Sequence, residues 1–458
     1  MTAHERLVRN VRWSCLALLL LLLAALRHHL FWGEKGPYPE LLRRSLDTLE
    51  TLGLIGFTVL AARAWLLGAR AAGEAALPPR FVLGMSLPIL LLAVLVPPFL
   101  SLDVVNYVLR GRIAGVHLAN PYVQLASDFP GDPLMGFGDP GWLKFPLPYG
   151  PLIADLQAVV ALVGAAAFFL PPLLQLMLGV GLFKLVLLGC HVATAFAARR
   201  IAESIAPERR DAVFVLVLWN PLLLLESVVN VHNDALATAF LATGVAALLA
   251  QREQRSAVLL GLAACAKFVP AALAPVALVH ALRSRGRAAL RPLLIGTGIA
   301  GLLLVVWAAR YWRAPGALDF LSRQSALGFS RWPWTLLAEP GPVLTALRVG
   351  VVLTLAVATA AVWRRPEPAR LCAAAAASML AVAIGGSSLL APWYHVWWLP
   401  FALTYGRGYL LRAAIAVTCC APLSYAAWTG LRRLDTPHNA LQLLLGLVVP
   451  LLAALRRF

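Results

Sequence analysis

Charge is scarce in this sequence, and acid scarcer still. Asp, Glu, Lys and Arg make up 13% of 458 residues, with 21 acidic against 39 basic side chains, while apolar residues make up 60%. That balance excludes the two or three soluble domains that length alone would suggest and leaves a polytopic membrane protein. Cysteine is sparse too: Cys15, Cys190, Cys265, Cys372 and the Cys419/Cys420 pair fall in or beside apolar runs, where thiols behave as small hydrophobes. Adjacent cysteines rarely bridge each other, so no disulfide framework is expected, and no metal-ligand spacing is present. No internal repeat is found. The net charge of +18 is not a nucleic-acid footprint, because Lys and Arg sit in short clusters between apolar runs rather than on one face.

What is present is a series of apolar runs, each near the roughly 20 residues needed to cross a bilayer. They fall near residues 11–31, 48–68, 81–100, 172–198, 211–228, 233–250, 291–310, 342–363, 371–390, 392–406, 409–428 and 440–455. Two more are ambiguous: 256–282, interrupted by Lys267 and Pro270, and 151–170, which ends at Pro171 and Pro172. The expected fold class is therefore all-α, a polytopic transmembrane helix bundle of about 12 to 14 spans. It is read as one integral-membrane domain over 1–458, with N-terminal spans in 1–100, a long outer loop in 101–150 and the remaining bundle in 151–458. Arg6, Arg9 and Arg12 precede the first run without a convincing small-residue cleavage site, so a retained first helix is expected.

The Arg-bearing loops 63–80, 199–210, 283–291, 364–370 and 407–412 all fit the cytoplasmic side only if an odd number of crossings lies between 150 and 199. The segment 151–170 is accordingly expected to dip in and return, with 172–198 as the crossing. The opposite, outer face then collects 101–150, 227–234, 311–341 and 391–398. Long loops between membrane helices are uncommon without a purpose, so function is sought there.

Five constellations stand out. Asp103 follows an apolar run and has Arg110 and Arg112 about two helical turns further on; a carboxylate near cations stays ionised and can take a proton from a hydroxyl. The alternative is a solvated helix end. In the loop that follows, Asp128, Asp132 and Asp139 match no calcium-loop pattern and read as turn chemistry beside Pro and Gly. In "WNPLLLLESVVNVHND", Glu226 lies within an apolar run with no partner evident from local periodicity, and His232, Asn233 and Asp234 stand where the next helix starts, as a site or as simple N-caps. Lys267 sits at a helix break, where it either snorkels or presents an ammonium to a cavity that suits a phosphate. In "PWYHVWW", Tyr394 and the tryptophans read first as an interfacial belt, and His395 as a polar contact to a sugar or phosphate.

With these residues in place, the chain resembles the GT-C superfamily of membrane glycosyltransferases, and within it the bacterial polyprenyl-phosphate-mannose-dependent mannosyltransferases of the α-1,6 type and the related family 87. The matching stretches are "DVVNYVLRGRIAGVHLANPY" at 103–122, "PYGPL" at 148–152, "WNPLLLLESVVNVHND" at 219–234, "AACAKFVP" at 263–270 and "PWYHVWWLPFAL" at 392–403. None is diagnostic alone; their order carries the resemblance. It implies a catalytic Asp on the first long outer loop, which maps to Asp103. That loop here follows the third run, so two extra N-terminal helices are required. A helix along the membrane surface before the next crossing is also implied.

The resemblance further implies a polyprenyl-phosphate sugar donor, a glycan or glycolipid acceptor, surrounding membrane lipids and no nucleic acid. It implies a bacterial inner membrane with the site facing outward; a phosphate leaving group clamped by cations needs no metal, so neither metal nor cofactor is expected. Substrate-binding residues would be Arg110, Arg112, Asn120, Tyr122, Tyr149, Glu226, His232, Asn233, Asp234, Lys267, Arg331, Tyr394 and His395. The competing classes are a lipid or solute transporter and a non-catalytic scaffold.

Overall fold

The computed structural model describes residues 1–31, 40–75, 77–101, 103–138, 142–313, 315–316, 319, 340–386, 391–426 and 444–455. Among the described residues the chain is all helix and turn. Long helices α1 (Ala3–Phe31), α2 (Glu40–Ala75) and α3 (Pro79–Leu95) lead to α4 (Asp103–Gly115), α5 (Pro151–Ala166) and α6 (Pro172–Ile205). Next come α7 (Arg210–Leu218), α8 (Pro221–Leu224), α9 (Asp234–Leu249), α10 (Glu253–Ala266), α11 (Ala274–Arg285) and α12 (Leu290–Tyr311). The chain closes with α13 (Pro340–Arg364), α14 (Pro368–Gly385), α15 (Leu399–Tyr405), α16 (Gly408–Cys420) and α17 (Val449–Leu455).

Among the described residues, seven helical stretches are apolar and long enough to cross a bilayer, or eight if the bent pair Pro207–Leu218 and Pro221–Val229 is one span. The sequence suggests 12 to 14. Four further described segments, α3, α5, α9 and Leu444–Leu455, are apolar but short, and residues 387–390 and 427–443, which overlap expected runs, lie outside the described residues. Apolar composition does not reveal where a helix stops; Val96–Pro97–Pro98 stops α3, because proline lacks a backbone donor and restricts the residue before it.

The bundle has two chemically distinct ends. Arg209 and Arg210 open α7, Arg252 precedes α10, Arg283 and Arg285 close α11, and Arg364 closes α13. Arg285 reaches Glu253 at 2.9 Å, so α10 starts where α11 finishes. Gly406 joins this end: it turns the chain between α15 and α16 at φ +69° with its backbone against the Arg209 guanidinium, a conformation and a closeness only glycine tolerates. The opposite end gathers the end of α3, the starts of α4 and α9, and the end of α10.

Two devices shape that second end. The bend of 42° after α7 falls at Trp219–Asn220–Pro221. Pro221 opens α8, the Asn220 side chain accepts the Leu223 amide at 2.9 Å and donates to Thr418 at 3.0 Å, and Trp219 donates to Ser86 at 2.7 Å. A π-helical turn, Leu225–Val229, follows directly. The buried Lys184 of α6 then donates to Val96 O at 2.6 Å and Val228 O at 3.1 Å, tying the end of α3 to that turn through carbonyls left free by helix termination.

α5 begins beside the α10 terminus, with Gly150 N donating to Ala266 O at 3.1 Å. At 16 residues it is about 24 Å long. It turns back into α6 at Pro171, where Gln175 donates to Leu170 O at 2.9 Å. It also packs along α4, where a Cβ on Gly111 would lie 2.1 Å from the Gln157 carbonyl oxygen. Gly111→Val should therefore force α4 from α5 and lower stability by about 1–3 kcal/mol, read as a fall in melting temperature of the detergent-solubilised protein. An unchanged melt would mean that this close approach does not exist.

Candidate active site

Asp103 occupies the first turn of α4, where the helix dipole favours a carboxylate, and its side chain is 24% exposed. Arg110 stands seven residues on, nearly the same helical face at 100° per residue. It is buried and donates to Phe145 O at 3.5 Å. Burial pushes Asp103 up to about 6, against the opposing pull of Arg110 and Lys267 and with a further upward push from Asp234.

Arg112 does not join Asp103. Nine residues on, it faces the other side of α4 and forms a buried ion pair with Asp132 at 2.7 Å. His117 lies 2.7 Å from the same carboxylate, and Leu134 N donates to it at 2.9 Å. This corrects the expectation that both arginines serve Asp103. Asp132 and Asp128 do act in turns, the latter accepting Leu125 N at 2.8 Å; Asp139 and Arg331 lie outside the described residues.

The turn before α9 supplies the centre. Val231 has φ +62°, a left-handed conformation that is costly for a β-branched residue and is retained where surroundings over-determine it. It delivers His232 into a slot where the ring stacks on Trp393, with centroids 4.2 Å apart and planes 18° apart. His232 Nδ1 lies 3.6 Å from Asp103 Oδ2, and Nε2 lies 3.3 Å from Glu226 Oε2. Burial, with Lys267 nearby, holds His232 well below its ordinary range, hence neutral.

Glu226, fully buried in the π-helical turn, accepts from Asn230 Nδ2 and Tyr425 OH, each at 3.2 Å. The expectation that local periodicity supplies it no partner is thus corrected, since Asn230 is four residues on.

Asp234 starts α9 and is 2% exposed, but neither it nor Asn233 serves as a side-chain cap; Asn233 Nδ2 is buried without a hydrogen-bond partner. Asp234 Oδ1 instead receives Lys267 Nζ and Trp397 Nε1, both at 2.6 Å. Lys267 lies at the end of α10 in extended conformation, so the helix break itself turns the ammonium inward. Aromatic faces surround it: Tyr149, Tyr394 and Trp397 at 5.7, 5.1 and 5.0 Å to the ring centroids, within cation–π range.

The loop motifs hold this arrangement from outside. Tyr122 OH donates to Tyr149 O at 2.8 Å, Asn120 Oδ1 accepts Tyr122 N at 3.0 Å, and Asn120 Nδ2 reaches Tyr311 O at 2.6 Å. Asn120 and Tyr122 therefore support Tyr149 rather than meet the ion cluster directly. His395 is not part of that cluster: it accepts from Trp398 Nε1 at 3.0 Å and sits beside Gly446, and burial holds it down to about 3. Sequence reasoning passes over Trp393, Trp397, Asn230 and Tyr425. The tryptophans look like an ordinary belt, and Tyr425 arrives from beyond α16. Among the described residues no group of three or more His, Cys, Asp or Glu is arranged to hold a metal ion.

A family model described as alpha-(1->6)-mannopyranosyltransferase, N-terminal domain, of the MptA_B family, matches residues 15–283, more than half of the chain. The chain belongs to this mannosyltransferase family. No curated protein and no solved structure matches it. The matched residues hold Asp103, Arg110, Glu226, His232, Asp234 and Lys267. Family membership makes the protein a glycosyltransferase, and its apolar helices make it a multi-pass membrane enzyme, so the transporter and scaffold readings give way.

In this mannosyltransferase the Lys267–Asp234 pair fixes α10 to α9. Removing one charge of a buried pair leaves the other uncompensated. Asp234→Ala should cost roughly 3 kcal/mol of stability, measured by thermal unfolding in detergent, and Lys267→Met combined with it should recover part of that loss. A single variant that melts like the wild type would contradict the pair's role.

Proposed function

We propose that the protein moves a mannosyl residue from a polyprenyl-phosphate donor to a hydroxyl of an envelope glycolipid or glycan, in one inverting displacement on the outer face of a bacterial inner membrane. The observation that carries the reading is the convergence of a carboxylate and cations in one cluster of buried and part-buried ionisable side chains. Asp103 and Lys267 come from different helices and meet through His232 and Asp234. Asp103 is the base: as the acceptor oxygen bonds to the anomeric carbon, its proton passes to Asp103 and the carbon–oxygen bond to phosphate breaks, the electron pair leaving with the polyprenyl phosphate. Inversion from a β-linked donor yields an α-mannoside.

Lys267 supplies the phosphate contact. One of its three N–H bonds is committed to Asp234, which leaves the others to make charge-assisted bonds to phosphate oxygens. Arg110 is the second cation, and the Tyr149 and Tyr394 rings flank Lys267. Cations alone can stabilise a phosphate leaving group, so the reading needs no cofactor. The outward orientation is supported by the arginine-rich end lying at the far end of α10 from Lys267, about 21 Å away along 14 residues.

With radiolabelled polyprenyl-phosphate mannose and the purified enzyme in lipid discs, Asp103→Asn should lower transfer by about 10²-fold or more while donor binding persists. Undiminished transfer would exclude the role. Lys267→Ala should chiefly weaken donor binding. Asp103 is raised to about 6 and must be ionised to act. The wild-type rate should therefore be level above that pH and fall about tenfold per unit below it; a rate independent of pH between 4 and 7 would contradict Asp103 as base.

A further inference from the structure

We propose that Asp103 does not hold the acceptor's proton alone: His232 shares it, and Glu226 fixes His232 in the tautomer that makes sharing possible. This rests on the reading of Asp103 as base. The argument starts from the donors around Glu226. Asn230 Nδ2 can only donate, and it and Tyr425 OH both point at Oε2. His232 Nε2 stands at 3.3 Å from that same oxygen. Two donors already converging on one buried oxygen mark Oε2 as an acceptor, and an acceptor there selects the imidazole tautomer with its proton on Nε2.

Nδ1 then carries a lone pair, and it faces Asp103 Oδ2 at 3.6 Å. Neither ring nitrogen has another hydrogen-bond partner among the described residues, and the stack on Trp393 prevents the ring from turning toward one. When Asp103 removes the acceptor's proton, its carboxylic O–H can donate to Nδ1. The proton stays on Asp103 in a hydrogen bond to the neutral ring, so no buried imidazolium forms and no further reactant is needed. A carboxylate is a weak base toward a sugar hydroxyl, and an acceptor behind its O–H stabilises the protonated acid as it forms. Catalytic hydrogen bonds are often long before substrate tightens them, which suits 3.3 and 3.6 Å. The strained Val231 is explained as well, since it is the residue that places the ring between the two acids.

His232 and Glu226 act through Asp103, so the test is a double-mutant cycle. Glu226→Gln keeps the volume, but its amide can donate to Nε2 and flip the tautomer, turning Nδ1 into a donor toward Asp103. We expect kcat to fall on the order of 10- to 100-fold with the donor KM unchanged, and no further fall when Glu226→Gln is added to Asp103→Asn. Tyr425→Phe, which removes one donor to the same oxygen, should give a smaller kcat loss with the same non-additivity, and it serves if Glu226→Gln misfolds. Wild-type kcat in both variants, or losses that multiply in the Asp103→Asn background, would overturn the shared proton while leaving Asp103 as base. Full transfer by Asp103→Asn itself would remove the base and the dyad together.

Discussion

The site depends on the ion pair between Lys267 and Asp234. Both groups are expensive to take from water, and the structure compensates them in several ways at once: a 2.6 Å contact, a second donor from Trp397, and aromatic faces around the ammonium. The pair exists because α10 stops at residue 266 and α9 begins at 234, so each charge sits at a helix end instead of on a lipid-facing side. Asp103 uses the same device at the start of α4. Three helix ends that meet, backed by Lys184 on the carbonyls of α3 and the π-helical turn, gather a polar cluster inside an apolar bundle.

That construction explains what the sequence makes readable. Ionisable residues embedded in apolar runs are few and costly, so Asp103, Glu226, His232, Asp234 and Lys267 announce themselves, and the structure brings them together. Arg112 and His395 carry the same signal and belong elsewhere. For Arg112 the helical angle alone places it opposite Asp103, so closeness in sequence is the wrong measure. For His395, nothing in a stretch of aromatic rings says which one faces the ion cluster. Asn120 and Tyr122 fall between, since they brace the loop that carries Tyr149.

Other parts were not legible for physical reasons. Tyr425 reaches Glu226 from 199 residues away in sequence, a pairing no local pattern encodes. Trp393 and Trp397 have the composition of an interfacial belt and become site residues only through their orientation. Where a helix ends is not written in hydropathy, as the stop of α3 at Val96–Pro97–Pro98 illustrates. The strain at Val231 is invisible in sequence because valine is seldom found in a left-handed turn.

The central claim is that a lipid phosphate and an ionised acid are held on opposite sides of one anomeric carbon at this cluster. A structure of the enzyme with a non-transferable polyprenyl-phosphate mannose analogue tests it most directly. The account predicts the phosphate within hydrogen-bond distance of Lys267, with the anomeric carbon facing Asp103. A phosphate seated instead in the groove lined by Arg252, Arg255 and Arg285 at the other end of α10, with Lys267 still bonded to Asp234 alone, would contradict it.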